Sequence, residues 1–202
     1  MVARVRVILV VCWALAAPGG AISQASTNPV GPLDYTRSIL QQASAIVGGN
    51  QTHDQKVAAL SVLFAKFLDT DAMARDALGQ HWSSFTPAQQ KEFLPLFREL
   101  IEKAYVQDLL LFQNPEFVYA GQQLMEGGAV VDTKIVTPKD KFDVKYTLRP
   151  AGDKWMATAI TVEGVSLTQN YGNQFNRVLS RMSVDDLIAL MKRKFGTPSG
   201  EA

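Results

Sequence analysis

Between Pro115 and Gly164 the apolar residues of this chain recur at every second position, and on either side of that stretch they recur at helical spacing. Few folds accommodate such a change. An alternating run gives a sheet one dry and one wet face, whereas a period near 3.6 lays a stripe along a helix. A sheet covered on its dry face by helices that precede and follow it is the arrangement this order predicts, an α+β fold.

The strand pattern is clearest in its centre. Ala129, Val131, Thr133, Ile135 and Thr137 alternate with Val130, Asp132, Lys134 and Val136, and a turn follows at Pro138 to Asp140. Phe142, Val144, Tyr146 and Leu148 then alternate with Asp143, Lys145, Thr147 and Arg149, the pattern of a strand with one wet face. After a second turn, Trp155, Ala157 and Ala159 interleave with Met156, Thr158, Ile160 and Val162 until Gly164. Phe117 to Ala120 adds a short candidate. Turns this short join antiparallel neighbours, so the expectation is a meander of about four strands over 115–163.

Helices fill 33–112 and 166–195. Leu33, Ile39, Leu40, Ala43, Ile46 and Val47 make the first apolar face, ended by Gly48 and Gly49. Thr52 with Gln55 and Thr86 with Gln89 are capping boxes, the second with Pro87 at the first helical position. A short helix from Asp71 to Leu78 lies between them, ending at Gly79. The helix from Pro87 bears Phe93, Phe97, Leu100, Ile101, Ala104 and Tyr105 on one side, and Pro95 predicts a kink or break by removing the bond to the carbonyl of Lys91. Ser166 with Gln169 is a third capping box, before Leu167, Tyr171, Phe175, Val178 and Leu179, and Ser183 caps a last helix with Leu187, Ile188, Leu190, Met191 and Phe195.

The first 23 residues read as a signal peptide: Arg4 and Arg6 precede eleven apolar residues, Val7 to Ala17, and then Pro18, Gly19 and Gly20. Eleven residues fall short of the roughly 20 that span a bilayer. Small residues suit cleavage before Gln24 or Ser26, which leaves one domain over 24–202. Removing Arg4 and Arg6 takes Lys+Arg from 20 to 18 against 19 acids, so the net charge moves from +1 to −1. Nucleic acid is then an unsuitable partner. The one cysteine, Cys12, leaves with the signal, so the exported chain relies on its core without disulfides.

Catalytic signatures are absent. The chain has two histidines, His53 and His81, far apart in sequence, and the G-V-S-L around Ser166 is not a nucleophile elbow. With no cysteine or histidine cluster, no metal site is expected. Asp185 and Asp186 suit a helix N-terminus, and Asp69 and Asp71 suit another. Lys192, Arg193 and Lys194 suit a helix C-terminus, with docking to an acidic partner as the other reading, which extends to Lys145 and Arg149.

Two runs carry a resemblance. F-L-D-T-D-A-M-A-R-D-A-L-G-Q-H-W-S-S-F-T-P-A-Q-Q-K-E-F from Phe67 and V-E-G-V-S-L-T-Q-N-Y-G-N-Q-F-N-R-V-L from Val162 resemble the MlaC family. These are periplasmic phospholipid-binding proteins, also called toluene-tolerance auxiliary proteins, with a branch associated with hopanoid biosynthesis. The resemblance implies an NTF2-like antiparallel sheet covered by helices, with an N-terminal helical subdomain and a deep apolar cavity for lipid tails. It implies a phospholipid or hopanoid as cargo, no cofactor, and two partners: the lipid-binding subunit of an inner-membrane ABC transporter and an outer-membrane lipoprotein complex. Pro95 departs from the family pattern, and so does Gly172, where members often carry a basic residue.

By period alone, Phe93, Phe97, Ile101, Tyr105, Val131, Thr133, Ile135, Phe142, Val144, Tyr146 and Trp155 are core positions. The resemblance turns them, with Val165, Leu167 and Tyr171, into candidate lining of the lipid cavity. Tyrosines interest us most, because a tyrosine can wall an apolar slot while its hydroxyl reaches a polar rim. Two other readings stay open from the residues: an NTF2-like enzyme with a perturbed Asp, His or Tyr in its pocket, and a filled-core module that bridges envelope proteins.

Overall fold

The computed structural model describes residues 30–112 and 115–195. The expected signal peptide, its expected cleavage site and the residues after Phe195 lie outside that range.

Helix starts follow the capping residues. α1 spans Pro32–Gly48, α2 His53–Phe67, α3 Thr70–Leu78 and α4 Pro87–Leu111, with a 3-10 turn at Gly79–Ser84 between the last two. At α2 the Thr52 hydroxyl accepts the Gln55 N–H at 3.3 Å, and the Gln55 side chain accepts the Thr52 N–H at 3.0 Å. Thr86 and Gln89 repeat this at α4, at 3.3 and 2.9 Å. After the sheet, α5 runs Leu167–Leu179 and α6 Val184–Phe195. Here the expected box is half formed, because Ser166 accepts from Gln169 N–H at 3.3 Å while its hydroxyl also meets Thr168 Oγ1 at 3.1 Å.

Pro95 does not break its helix. α4 is one element of 25 residues with Pro95 inside it, so of the kink or break that the proline predicts, the break does not occur. A single lost backbone bond costs about 3 kcal/mol. Phe93, Leu96, Phe97 and Leu100, all buried in that same stretch, each return ~1.5–3 kcal/mol by leaving water. Packing therefore outweighs the local penalty.

The sheet has five strands rather than about four. β1 (Glu116–Met125), β2 (Gly128–Val136), β3 (Lys141–Ala151), β4 (Lys154–Val162) and β5 (Val165–Ser166) pair in chain order, each antiparallel to the next. β1 is longer than its apolar start suggested, and its register shifts at Gly121, whose φ of 151° suits a glycine. A second shift lies in β4, where Thr147 faces Ala159 but Leu148 faces Ala157. That extra residue turns Ala157 and Ile160, three apart, towards the helices. Simple alternation had placed them on opposite faces.

Helical and sheet halves meet at Asp69. Its N–H donates to Ala157 O at 2.9 Å, beside a parallel bridge between Leu68 and Ala157. Its carboxylate caps α3 through Ala72 N–H at 3.1 Å and accepts from Arg149 Nε of β3 at 2.6 Å. Asp69 therefore starts α3 one residue after Leu68 caps α2, and ties that junction to two strands.

α5 crosses α3 at a bare backbone. A Cβ on buried Gly172 would lie 2.8 Å from the Ala77 carbonyl oxygen, so no basic side chain fits there without moving α5. Glycine to alanine inside a helix normally stabilises by ~0.5–1 kcal/mol. For Gly172→Ala the sign reverses: we expect a loss of about 1–3 kcal/mol from overpacking, read as a melting temperature lower by several degrees. A raised melting temperature would show that the two helices are not in contact at this point.

Candidate functional site

Aromatic side chains divide the interior along α4. In its first half, Phe93 and Phe97 meet Phe175 of α5 at centroid distances of 5.5 and 6.2 Å, and Phe85 closes on Phe93 edge to face at 5.4 Å. Tyr171 meets Phe97 at 6.2 Å and nearly perpendicular. Edge-to-face pairs of this kind add ~0.5–1.5 kcal/mol each beyond burial. This end is filled.

The second half of α4 faces a cavity of about 220 Å³. Its floor is the sheet: Phe117 of β1, Ile135 of β2, Phe142, Val144 and Tyr146 of β3, and Ile160 and Val162 of β4. Its roof is helical: Leu40 of α1, Phe64, Phe67 and Leu68 at the end of α2, and Tyr105, Asp108, Leu109 and Phe112 along α4. Of these fifteen residues Asp108 alone is an acid or a base, so the interior favours hydrocarbon and excludes an ion. Phe112 and Phe142 lie 5.7 Å apart across the helix–sheet seam.

Five candidate residues meet in the cavity wall: Tyr105, Ile135, Phe142, Val144 and Tyr146. The other candidates do not line it. Phe93 and Phe97 belong to the filled aromatic end, and Ile101 is fully buried on α4. Val131 is buried on β2, and Thr133 spends its hydroxyl on Val144 O at 3.1 Å, which makes it a strand-packing residue. Trp155 donates its indole N–H to Val30 O at 2.8 Å near the chain start. Val165 stands exposed on β5, and Leu167 is half-buried at the start of α5. The Tyr171 ring joins the aromatic end.

Leu109 and Phe112 follow Tyr105 at i+4 and i+7, so the helical stripe could have been carried on to find them. Phe64, Phe67 and Leu68 lie at helical spacing in the helix that the Thr52 cap opens, so the same stripe argument reaches them. Ile160 and Val162 required the β4 register shift. Asp108, an acid on an apolar face, had no signal of its own.

The charged residues considered for docking have nearer occupations. Arg149 is held by Asp69, Lys145 lies 3.4 Å from Asp132, and Lys192 pairs with Glu92. Among the described residues no group of three or more His, Cys, Asp or Glu is placed to hold a metal ion. No described helix is long and apolar enough to cross a membrane.

Two comparisons bear on this geometry. The sequence pattern of the MlaC protein family matches residues 33–193, which spans every element from α1 into α6. A phospholipid-binding protein from Ralstonia solanacearum, solved in complex with a phospholipid, superposes with a TM-score of 0.71. It is 22% identical, and the match covers 80% of this chain and 95% of that one. At that identity the likeness speaks for the α+β fold.

The phenols of the wall give the site a measurable signature. Burial pushes the Tyr105 hydroxyl up, with the Asp108 charge adding to the effect, and burial likewise pushes up Tyr146. Both stay protonated and can donate a hydrogen bond at any physiological pH. In the unfolded chain they ionise near pH ~10. Between that pH and their folded values the unfolded state binds fewer protons, so stability must fall as pH rises. We expect the unfolding free energy to drop above pH ~10, by up to about 1.4 kcal/mol per pH unit for each buried phenol, and the denaturant midpoint with it. Tyr146→Phe should flatten the slope, measured by urea titration from pH 9 to 12.

Proposed function

Because the chain belongs to the MlaC family, we propose that it is a soluble periplasmic lipid carrier. It is exported by its signal peptide, and the cleaved chain folds as one domain that holds phospholipid acyl chains between sheet and helices. It moves lipid between an outer-membrane lipoprotein complex and the lipid-binding subunit of an inner-membrane ABC transporter, and so serves outer-membrane lipid asymmetry. One observation carries the reading: an apolar cavity, walled by sheet and helices, whose lone charge is Asp108 at an exposed position. The phospholipid held by the Ralstonia solanacearum protein of like fold supports the same cargo.

Energetics decide how such a carrier works. Each methylene removed from water is worth ~0.8 kcal/mol, so about thirty of them give on the order of 20 kcal/mol. Release into water is therefore too slow to serve transport, and cargo passes in contact with a donor or acceptor. At about 220 Å³ the cavity lies below the roughly 300–1,000 Å³ of pockets that enclose drug-sized ligands. Loading two tails then requires the roof helices to move off the sheet. The Phe112–Phe142 seam is where that movement costs least, since Phe112 caps the end of α4 and both rings are only partly buried.

The perturbed tyrosines fit a lining better than a catalytic site. Their shifts run upwards, away from the neutral range in which a general acid or base exchanges protons efficiently.

Purification from the host periplasm without detergent, followed by native mass spectrometry, tests the proposal. A stoichiometric glycerophospholipid is the expected result; a hopanoid would move the protein to the other branch, and an empty protein would overturn the carrier reading. Val144→Trp, which fills the cavity floor, should reduce retained lipid at least about ten-fold at a stability cost near 1–3 kcal/mol. Unchanged lipid retention in that variant would place the cargo elsewhere.

A further inference from the structure

On α4, Tyr105, Asp108, Leu109 and Phe112 recur at spacings of three and four, so they share one face and that face looks into the cavity. Asp108 is the exposed member, at the edge of the wall. No lysine or arginine lines the cavity, and among the described residues Asp108 makes no ion pair.

The fold gives no reason for an acid here. Asp108 lies in the last turn of α4, which has no basic residue, and the carbonyl end of a helix disfavours negative charge. Lys103 of α4 bonds the Phe195 carbonyl, and the cations of β2, β3 and α6 have partners of their own. Lys134 bonds Asp143 on the outer face of the sheet, and Lys141 acts on the same carboxylate. On α6, Arg193 acts on Asp186 and Lys194 lies over the Phe195 ring. An uncompensated carboxylate therefore stands at the edge of an apolar cavity, one helical turn along α4 from Tyr105.

We propose that Asp108 is a head-group specificity residue, and that the cavity takes a phospholipid whose head group carries an ammonium in preference to one whose head group is only anionic. The inference rests on the carrier reading and goes beyond it. With the tails inside, the glycerol esters and phosphate come to the rim. There the Tyr105 hydroxyl is a donor suited to phosphate or ester oxygens. A carboxylate repels the phosphate of every phospholipid alike. An ammonium on the head group answers that repulsion with a charge-assisted hydrogen bond, and an uncharged polyol cannot. The discrimination is small because the pair is exposed and salt screens it.

The test loads the purified protein from mixed vesicles of phosphatidylethanolamine and phosphatidylglycerol with identical acyl chains, in equal amounts at low ionic strength. Native mass spectrometry then counts the two bound species. We expect the ethanolamine lipid to exceed the glycerol lipid about two- to five-fold, the size an exposed ion pair supports. Asp108→Asn should bring the ratio to about one, Asp108→Lys should invert it, and salt near 1 M should flatten it in the unsubstituted protein. Thermal melting serves as the control for folding, and Asp108→Asn should melt no lower than the parent, since it removes an acid from a helix C-terminus. Equal loading of the two lipids, or a preference that persists in Asp108→Asn, would overturn the specificity and leave the carrier intact. If neither lipid loads, the carrier reading fails and this inference with it.

Discussion

The fold depends on the attachment of its helices to one edge of its sheet, and that attachment is concentrated at Leu68 and Asp69. A helix packed on a sheet through apolar contacts alone can slide, because the hydrophobic effect has no direction. Hydrogen bonds do have direction. The Asp69 N–H to Ala157 O and the Asp69 carboxylate to Arg149 fix where α2 ends and α3 begins against β3 and β4. Once that point is set, α3 sets α5 through the Gly172 crossing, and α4 packs on α3. The cavity roof, built from α2 and α4, inherits its position from the same junction.

α4 joins two interiors of different character. Towards its N-terminus, Phe93 and Phe97 are wedged by rings from α5 and the 3-10 region, and both are fully buried. Towards its C-terminus the sheet falls away and the same helix spans a void. A continuous helix is needed for this, since a break at Pro95 would uncouple the roof from the packed end that anchors it. The filled half supplies stability, and the open half is left free to change shape.

Where local chemistry decides structure, it could be read from the residues. Thr52, Thr86, Ser166 and Ser183 each mark a helix start, and alternation marked β2 and β3 closely. Where tertiary contacts decide, it could not. Gln122 and Gln123 of β1 are polar and exposed and look like loop, yet pairing with Val131 and Val130 makes them strand. Pro95 reads as a breaker until the buried rings beside it are counted. The site divides in the same way. Periodicity tells which residues face inward, but an inward residue lines a cavity or packs a core according to what stands opposite, and only the assembled fold supplies that. Tyr105 and Phe97 lie on the same stripe, eight residues apart; one faces the void and the other faces Phe175.

The register shift at Gly121 matters between molecules as well as within one. β1 is a sheet edge of ten residues, long enough to recruit a strand from another copy. The shift divides it into Glu116–Tyr119 and Gln122–Met125, whose unpaired backbone groups fall out of phase with each other. An incoming strand can match one run or the other but not both. At the opposite edge β5 pairs with Thr161 and Val162 of β4, and Leu68 and Asp69 occupy the same side of β4 at Ala157. The sheet thus ends at both sides without a template of useful length, which protects the molecule from edge-to-edge polymerisation in a crowded compartment.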